Sequence, residues 1–361
     1  MIKLHIKTIK ELFLLGFLTY IFFLSIELVG ASFKLFGKDV AKSLISITSN
    51  PFIALFIGIL ATSIVQSSSF TTSLTVGMVA SGVLSLRNAI PIIMGANIGT
   101  TITNTLVSLV HVTRKLEFQR AYAGAVIHDF FNLIAVALLL PLELTIHFLE
   151  KLANLLTITF SSIGGIKIIS PLKLITKPIL EHIIVTINYP IILSLLSFFM
   201  LFLSLLFMVK ILRNLVTAKF EIFMDKYLFR TPLLSFFLGL IFTAIVQSSS
   251  VTTSLIIPLV GAGILSVEKI FPYVLGANVG TTVTAMLASF VTLNPTAIAV
   301  AFTHLLFNIF GIVLIYPTRK LPIQLAKKFS VLVSNSKIIA IIYILLTFFI
   351  LPLILILLTK G

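Results

Sequence analysis

Mainly apolar residues make up seven spans along the chain, at about 11–32, 88–110, 119–141, 189–210, 270–292, 296–317 and 338–358. Each comes close to the roughly 20 residues a helix needs to cross a bilayer, so the pattern predicts an all-α polytopic membrane protein. Two further stretches, 51–83 and 232–264, are apolar at their ends but carry a polar knot in the middle. The knots read QSSSFTTS at Gln66–Ser73 and QSSSVTTS at Gln247–Ser254. Each stretch is long for one straight span, and its knot falls where the hydrocarbon centre would lie. The pattern therefore predicts two short helices meeting at a re-entrant turn. Non-helical backbone at that depth persists only when buried in protein or lining a cavity.

The knots belong to a duplication. Gly58–Leu109 aligns without gaps to Gly239–Phe290, with about half the positions identical, and one offset of 181 carries Gln66 to Gln247 and Asn97 to Asn278. After a short deletion, His128–Asn132 matches His304–Asn308. This predicts repeat 1 over 1–141, a linker at 142–188, repeat 2 over 189–317, and a basic loop with a C-terminal transmembrane helix at 318–361. Repeat 1 holds three crossings and a hairpin that adds none. Three is odd, so repeat 2 is expected to be inverted, each repeat having a re-entrant hairpin and a broken helix. Inverted repeats with helices broken at the midplane characterise secondary transporters.

Charge supports that orientation. With the N-terminus in the cytoplasm, the inner segments hold Lys3, Lys7 and Lys10, then Arg114, Lys115 and Arg120. They also hold Lys210, Arg213, Lys219, Lys226 and Arg230, and Arg319, Lys320, Lys327, Lys328 and Lys337. The outer segments hold fewer, chiefly Lys34, Lys38, Lys42 and the lysines of the linker, as the positive-inside rule requires. The net charge of +15 is thus a topology signal and does not point to nucleic acid. Of the 361 residues, 58% are hydrophobic and 10% charged, and the mean hydropathy of +1.19 excludes a soluble domain. The absence of cysteine excludes a disulfide framework and thiolate metal sites. The first apolar run lacks a small-residue cleavage site and reads as a retained helix.

Small residues alone would suit close helix packing, but packing does not call for a glutamine, whose amide needs partners in a low-dielectric setting. A helix that starts at a re-entrant turn presents unpaired N–H groups and the positive end of its dipole, which favour an anion. Serine hydroxyls add donors. Two such tips, Ser67–Ser69 and Ser248–Ser250, brought together by symmetry, could surround a tetrahedral oxyanion. Neither knot contains Lys or Arg, so helix dipoles and co-bound cations must balance the charge. The motifs GANIGTT (Gly95–Thr101) and GANVGTT (Gly276–Thr282) offer carbonyl, amide and hydroxyl oxygens suited to Na⁺. No cysteine cluster or histidine pair at metal spacing argues for a transition metal, no catalytic triad is arguable, and no P-loop is present. His128, Asp129 and His304 lie on apolar helices. Hydrogen bonding in support of the Asn97 region is expected of them, with coupling-ion or proton work by Asp129 as the alternative.

The doubled QSSS, the AIPIIMGANIGTTITNT stretch (Ala89–Thr105) and PYVLGANVGTTVTA (Pro272–Ala285) resemble the type II sodium-dependent phosphate cotransporters. The resemblance covers most of the chain outside 142–188 and the C-terminal span. It implies a non-enzymatic, Na⁺-driven symporter of inorganic phosphate in a prokaryotic-type inner membrane, with alternating access and no organic cofactor. Ser67, Ser68, Ser69, Thr100, Ser248, Ser249, Ser250 and Thr281 are then expected to hold phosphate. Gln66, Thr62, Asn97, Gln247, Thr243 and Asn278 are expected to hold Na⁺, the sole metal, supported by His128, Asp129, Asn132, His304 and Asn308. The oligomeric state stays open, a homodimer being one arrangement. The rival expectations are a Na⁺ symporter of another small anion, an anion channel, and a non-transporting partner whose knots only pack helices.

Overall fold

The computed structural model describes the backbone of residues 2–162, 165–227 and 231–358, and within them the side chains of all but 2–8, 38, 165–174 and 215–227. Of the basic residues that set the expected orientation, the side chains of Lys3, Lys7, Lys38, Lys167, Lys173, Lys219 and Lys226, and all of Arg230, lie outside the described residues. The described chain is helical, without strands.

The first half runs through α1 (Ile2–Leu35), α2 (Lys38–Thr48), α3 (Pro51–Val65), α4 (Ser68–Ala80), α5 (Leu86–Gly99), α6 (Ile102–Ser108) and α7 (Lys115–Ile146). Two connecting helices follow, α8 (Phe148–Ser162) and α9 (Gly165–Thr186). The second half comprises α10 (Pro190–Tyr227), α11 (Pro232–Val246), α12 (Ser249–Ser254), α13 (Ile257–Gly261), α14 (Val267–Thr292) and α15 (Pro295–Ile315). Last come α16 (Lys320–Asn335), α17 (Ile338–Leu345) and α18 (Leu351–Leu358). Seven stretches of the described residues are long and apolar enough to cross a membrane, and they coincide with the seven apolar runs: Ile9–Leu35, Leu86–His111, Lys115–Ile146, Pro190–Asn214, Val267–Thr292, Pro295–Thr318 and Ile338–Leu358. The protein is a multi-pass membrane protein.

Matching residues start matching helices. Pro51 and Pro232 open α3 and α11 behind the caps Asn50, whose side chain accepts from the Phe52 and Ile53 N–H groups, and Thr231, which accepts from Leu234. Proline suits that first turn because its missing N–H would have had no helical partner. Ser85 and Ser266 cap α5 and α14 in the same way.

Reciprocal glycines then press each hairpin onto the span that follows it. A Cβ on Gly58 would collide with the Ile92 carbonyl, and one on Gly95 with the Leu55 carbonyl, so α3 and α5 touch backbone to backbone. Gly239 against Tyr273 and Gly276 against Phe236 do the same for α11 and α14. Such contact is how small residues join helices in lipid, where no hydrophobic force drives them together.

Two expectations need correction, and a third gains detail. A broken helix was expected in each repeat, but α14 runs unbroken through GANVGTT, while the first-half span is interrupted between Gly99 and Ile102. The region 142–188, expected as a linker, holds the end of α7 and the helices α8 and α9. The α8 helix is seated on α15 through the ring pairs Phe148–Phe310 and Phe160–Phe302. The expected basic loop after 318 is the helix α16, which buries Ile323, Ala326, Ser330 and Val333 along one face and packs Phe329 between Tyr122 and Tyr343. That helical period runs beneath a cationic surface, which is why charge alone suggests a loop.

Candidate functional site

Each knot turns the chain with one glutamine. Gln66 ends α3 at φ 55°, ψ 30°, and Gln247 ends α11 at φ 58°, ψ 27°, both in the left-handed region. The next residues, Ser67 and Ser248, are extended, and their Oγ atoms accept from the N–H groups of Phe70 (3.2 Å) and Val251 (3.3 Å) to start α4 and α12. Each cap serine accepts with its oxygen and keeps its O–H to donate elsewhere. Inside the hairpins, Thr62 donates to Thr71 (2.9 Å), and Thr243 pairs with Thr252 (2.6 Å).

The tips meet. Ser69 Oγ donates to the Gln247 carbonyl at 3.1 Å, and Ser250 Oγ donates to the Thr100 carbonyl at 3.3 Å. Beside these contacts lies a cavity of about 210 Å³ whose polar wall is Gln66, Ser67, Ser69, Thr103, Ser248 and Ser250. At about 30 Å³ per water, it has room for a small hydrated ion. Phe70, Phe202 and Val251 contribute to the apolar wall.

Behind the tips the two halves are laced by a crossed network. His128 Nε2 lies 3.0 Å from Asn278 Oδ1, and His304 Nε2 lies 3.4 Å from Asn97 Oδ1, so each histidine reaches the asparagine of the opposite half. Asn132 donates to the Asn97 carbonyl (2.7 Å), and Asn308 donates to that of Asn278 (3.0 Å). The lacing is uneven. Asn278 Nδ2 donates to Asn132 Oδ1 (2.9 Å), whereas Asn97 Nδ2 turns back to the Ile93 carbonyl (2.9 Å) and leaves Asn308 Oδ1 buried without a partner. Asp129, where the second half has Leu305, is buried and accepts from Tyr343 Oη at 2.9 Å. It ties the C-terminal span to α7.

Of the residues expected to hold phosphate, Ser67, Ser69, Ser248 and Ser250 line the cavity. Ser68 and Ser249 are buried in the first turns of α4 and α12. Thr100 and Thr281 bond back to Ala96 and Ala277 in their own helices. Of those expected to hold Na⁺, Gln66 lines the cavity, and Gln247 offers its carbonyl while its Oε1 is buried without a partner. Thr62 and Thr243 pair within their hairpins, and the side chains of Asn97 and Asn278 are engaged in the crossed network. That network corrects one expectation: His304 supports Asn97, and His128 supports Asn278.

Thr103 and Thr284 were not among the expected residues. Both hydroxyls are buried without a partner, Thr103 lines the cavity, and the two occupy equivalent positions of the duplication. The alternating threonines of GTTIT and GTTVT were the available signal.

The profile of the family described as Na⁺/Pi-cotransporter matches residues 21–163 and 200–353. Among curated relatives, the sodium-dependent phosphate transport protein 2B of Pongo abelii is 34% identical over 95% of this chain and 64% of its own length. The 2B protein of Homo sapiens is 33% identical over the same shares. The 2A protein of Ovis aries is 34% identical over 96% of this chain and 67% of its own length. The chain thus spans about 64% of the length of the first two relatives. No solved structure matches.

Proposed function

Because the chain belongs to the Na⁺/Pi-cotransporter family, we propose that it is a sodium-coupled symporter that imports inorganic phosphate and has no enzymatic role or organic cofactor. The observation that carries this reading is the meeting of the two hairpin tips at one polar cavity. The free O–H groups of Ser67 and Ser248 would donate to phosphate, together with Thr103 and the N–H groups at the start of α4; Ser69 and Ser250 would join them by letting go of the Gln247 and Thr100 carbonyls they now hold. Gln66 and Gln247 would supply amide oxygens to Na⁺, whose charge replaces the missing Lys and Arg. The Asn97 carbonyl, beside the break between α5 and α6 and already accepting from Asn132, has a second lone pair available for the same ion in another state. The Asn278 carbonyl lies inside the continuous α14 and also accepts from Asn308, so it would have to release a partner first.

We read the two halves as inverted repeats, since three apolar spans precede the connecting helices. Their different conformations are then the two partners of an alternating-access cycle. In this reading the protein sits in a prokaryotic inner membrane with its N-terminus in the cytoplasm. Cysteines placed at Lys42 and Arg213 should then label from opposite sides with impermeant reagents, and labelling from one side would remove the basis for a shared central site.

Radiolabelled phosphate uptake into proteoliposomes, with and without an inward Na⁺ gradient, tests the whole assignment. Uptake should require Na⁺, and arsenate should compete. Sulfate should compete poorly, because it has no proton to donate to serine oxygens and each buried acceptor left unpaired costs about 1–3 kcal/mol. Uptake independent of Na⁺ would indicate a channel, and equal competition by sulfate a general anion site.

A further inference from the structure

At the far end of α7 the chain places three metal-ligand side chains together. In one unbroken helix, residues seven apart stand about 10.5 Å apart along the axis, too far to share an ion. Here the helix breaks at His147, which takes the left-handed conformation (φ 53°, ψ 47°), and α8 turns back toward α7. One carboxylate oxygen each from Glu143 and Glu150 and a ring nitrogen of His147 come within 4.8 Å of one another. His147 Nδ1 lies 3.5 Å from Glu150 Oε2. Ligands bound tetrahedrally at about 2.0–2.1 Å stand roughly 3.3 Å apart, so this pair is already near the edge length of such a site.

A second observation points to a missing cation. Glu143 is only 3% exposed. Its Oε2 accepts from the N–H groups of Leu149 (2.6 Å) and Glu150 (3.4 Å), but its Oε1 is buried with no partner. A helix cap needs one carboxylate oxygen, and burying the other unpaired is costly. His147 and Glu150 keep 35% and 19% of their side chains exposed, which gives an ion a way in and leaves room for a water as fourth ligand. Among the described residues, the cation paired with the cluster is Arg87, whose Nε lies 3.1 Å from Glu150 Oε2. Arg87 belongs to the first turn of α5, so an ion here would draw α7 and α8 together while competing with the tie from Glu150 to the start of the GANIGTT helix.

We propose that Glu143, His147 and Glu150 form a site for a divalent transition metal of the Zn²⁺ class, separate from the transport cavity. One imidazole and two carboxylates suit Zn²⁺ better than Ca²⁺ or Mg²⁺, which take all-oxygen shells. Two carboxylates neutralise the ion, and three protein ligands leave its fourth position open.

Chelator-washed, full-length protein in detergent, titrated calorimetrically with Zn²⁺ alone, tests the site. One equivalent should bind saturably and survive excess Ca²⁺. His147→Asn keeps a residue that tolerates the left-handed backbone and should weaken binding at least about tenfold, with Glu150→Gln doing the same. Arg87→Gln removes a competing positive charge and should strengthen binding. Melting temperatures of the ion-free variants close to that of the parent protein would show that the fold is intact. Absence of saturable binding, or affinity unchanged in both His147→Asn and Glu150→Gln, would overturn the proposal and leave Glu143 as the N-terminal cap of α8.

Discussion

The two halves share their motifs and differ in where their helices break. In the first half the hairpin arm α4 is continuous over Ser68–Ala80, and the GANIGTT span is interrupted between Gly99 and Ile102. In the second half the arm is split into α12 and α13, while α14 runs unbroken through GANVGTT. The arm breaks where Pro258 replaces Gly77, since proline has no N–H for the preceding turn. Gly77 instead lets α4 lie close on α1, where a Cβ would meet Val29 Cγ1 at 2.9 Å. The span breaks where the second tip enters: Ser250 takes the Thr100 carbonyl, and Thr253 donates to Asn104 Oδ1 at 3.0 Å. The equivalent Ser69 bonds the Gln247 carbonyl instead, and α14 stays straight. A motif that is broken in one copy and straight in the other does not dictate its own geometry. The contact across the halves does.

The strongest way to break this comparison is to attack what the halves share. Gly95→Ala and Gly276→Ala each drive a Cβ into a carbonyl of the preceding hairpin, at a cost of about 3 kcal/mol or more. Both should lose most of the folded, monodisperse protein in detergent. A normal yield from one alone would mean that its half can spread apart. Next in size are Gln66→Ala and Gln247→Ala. Losing a hydrogen bond to a charged group costs about 1.5–3 kcal/mol, roughly 10- to 150-fold in Na⁺-driven phosphate uptake, with insertion preserved. If Gln→Leu at both positions retains uptake, the knots only pack helices.

The crossed network offers a finer test. His128→Ala and His304→Ala each strip an asparagine of a buried partner, for about 1–3 kcal/mol. The 3.0 Å contact of His128 with Asn278, against 3.4 Å for His304 with Asn97, predicts the larger loss of melting temperature for His128→Ala. A mutant cycle pairing His128 with Asn278 should show coupling, and one pairing it with Asn97 should show little. The smallest effect is expected from Tyr343→Phe, which releases the carboxylate that only the first half possesses. It should lower stability by about 1.5 kcal/mol, the low end for a bond to a carboxylate, and leave uptake nearly intact. A severe uptake defect at unchanged stability would move Asp129 from support into ion coupling.

The spans, the duplication and the knots were legible in the sequence because each is a local pattern, either an apolar run of membrane length or a repeated string. The re-entrant turns were legible too, since polar groups at that depth force the backbone out of a single helix, but not that a left-handed glutamine makes each one. The crossing of His128 to Asn278 was not, because a repeat alignment pairs each histidine with the asparagine of its own half. The helix α16 was hidden by its lysines, and the Tyr343–Asp129 bond joins residues 214 positions apart. Thr100 attracted attention for its place in the motif, yet its hydroxyl bonds back to Ala96, while Thr103, one turn on, faces the cavity.

The left-handed glutamines carry a consequence for thermal robustness. A side-chain-bearing residue in that conformation gives up about 1 kcal/mol relative to glycine, and this chain does so at Gln66 and again at Gln247. Glycine at both turns would relax the backbone while deleting the two amides at the tips. With the roles proposed above for these amides, heat tolerance and uptake pull in opposite directions at these two residues, so glycine at both should raise the melting temperature and lower Na⁺-driven phosphate uptake.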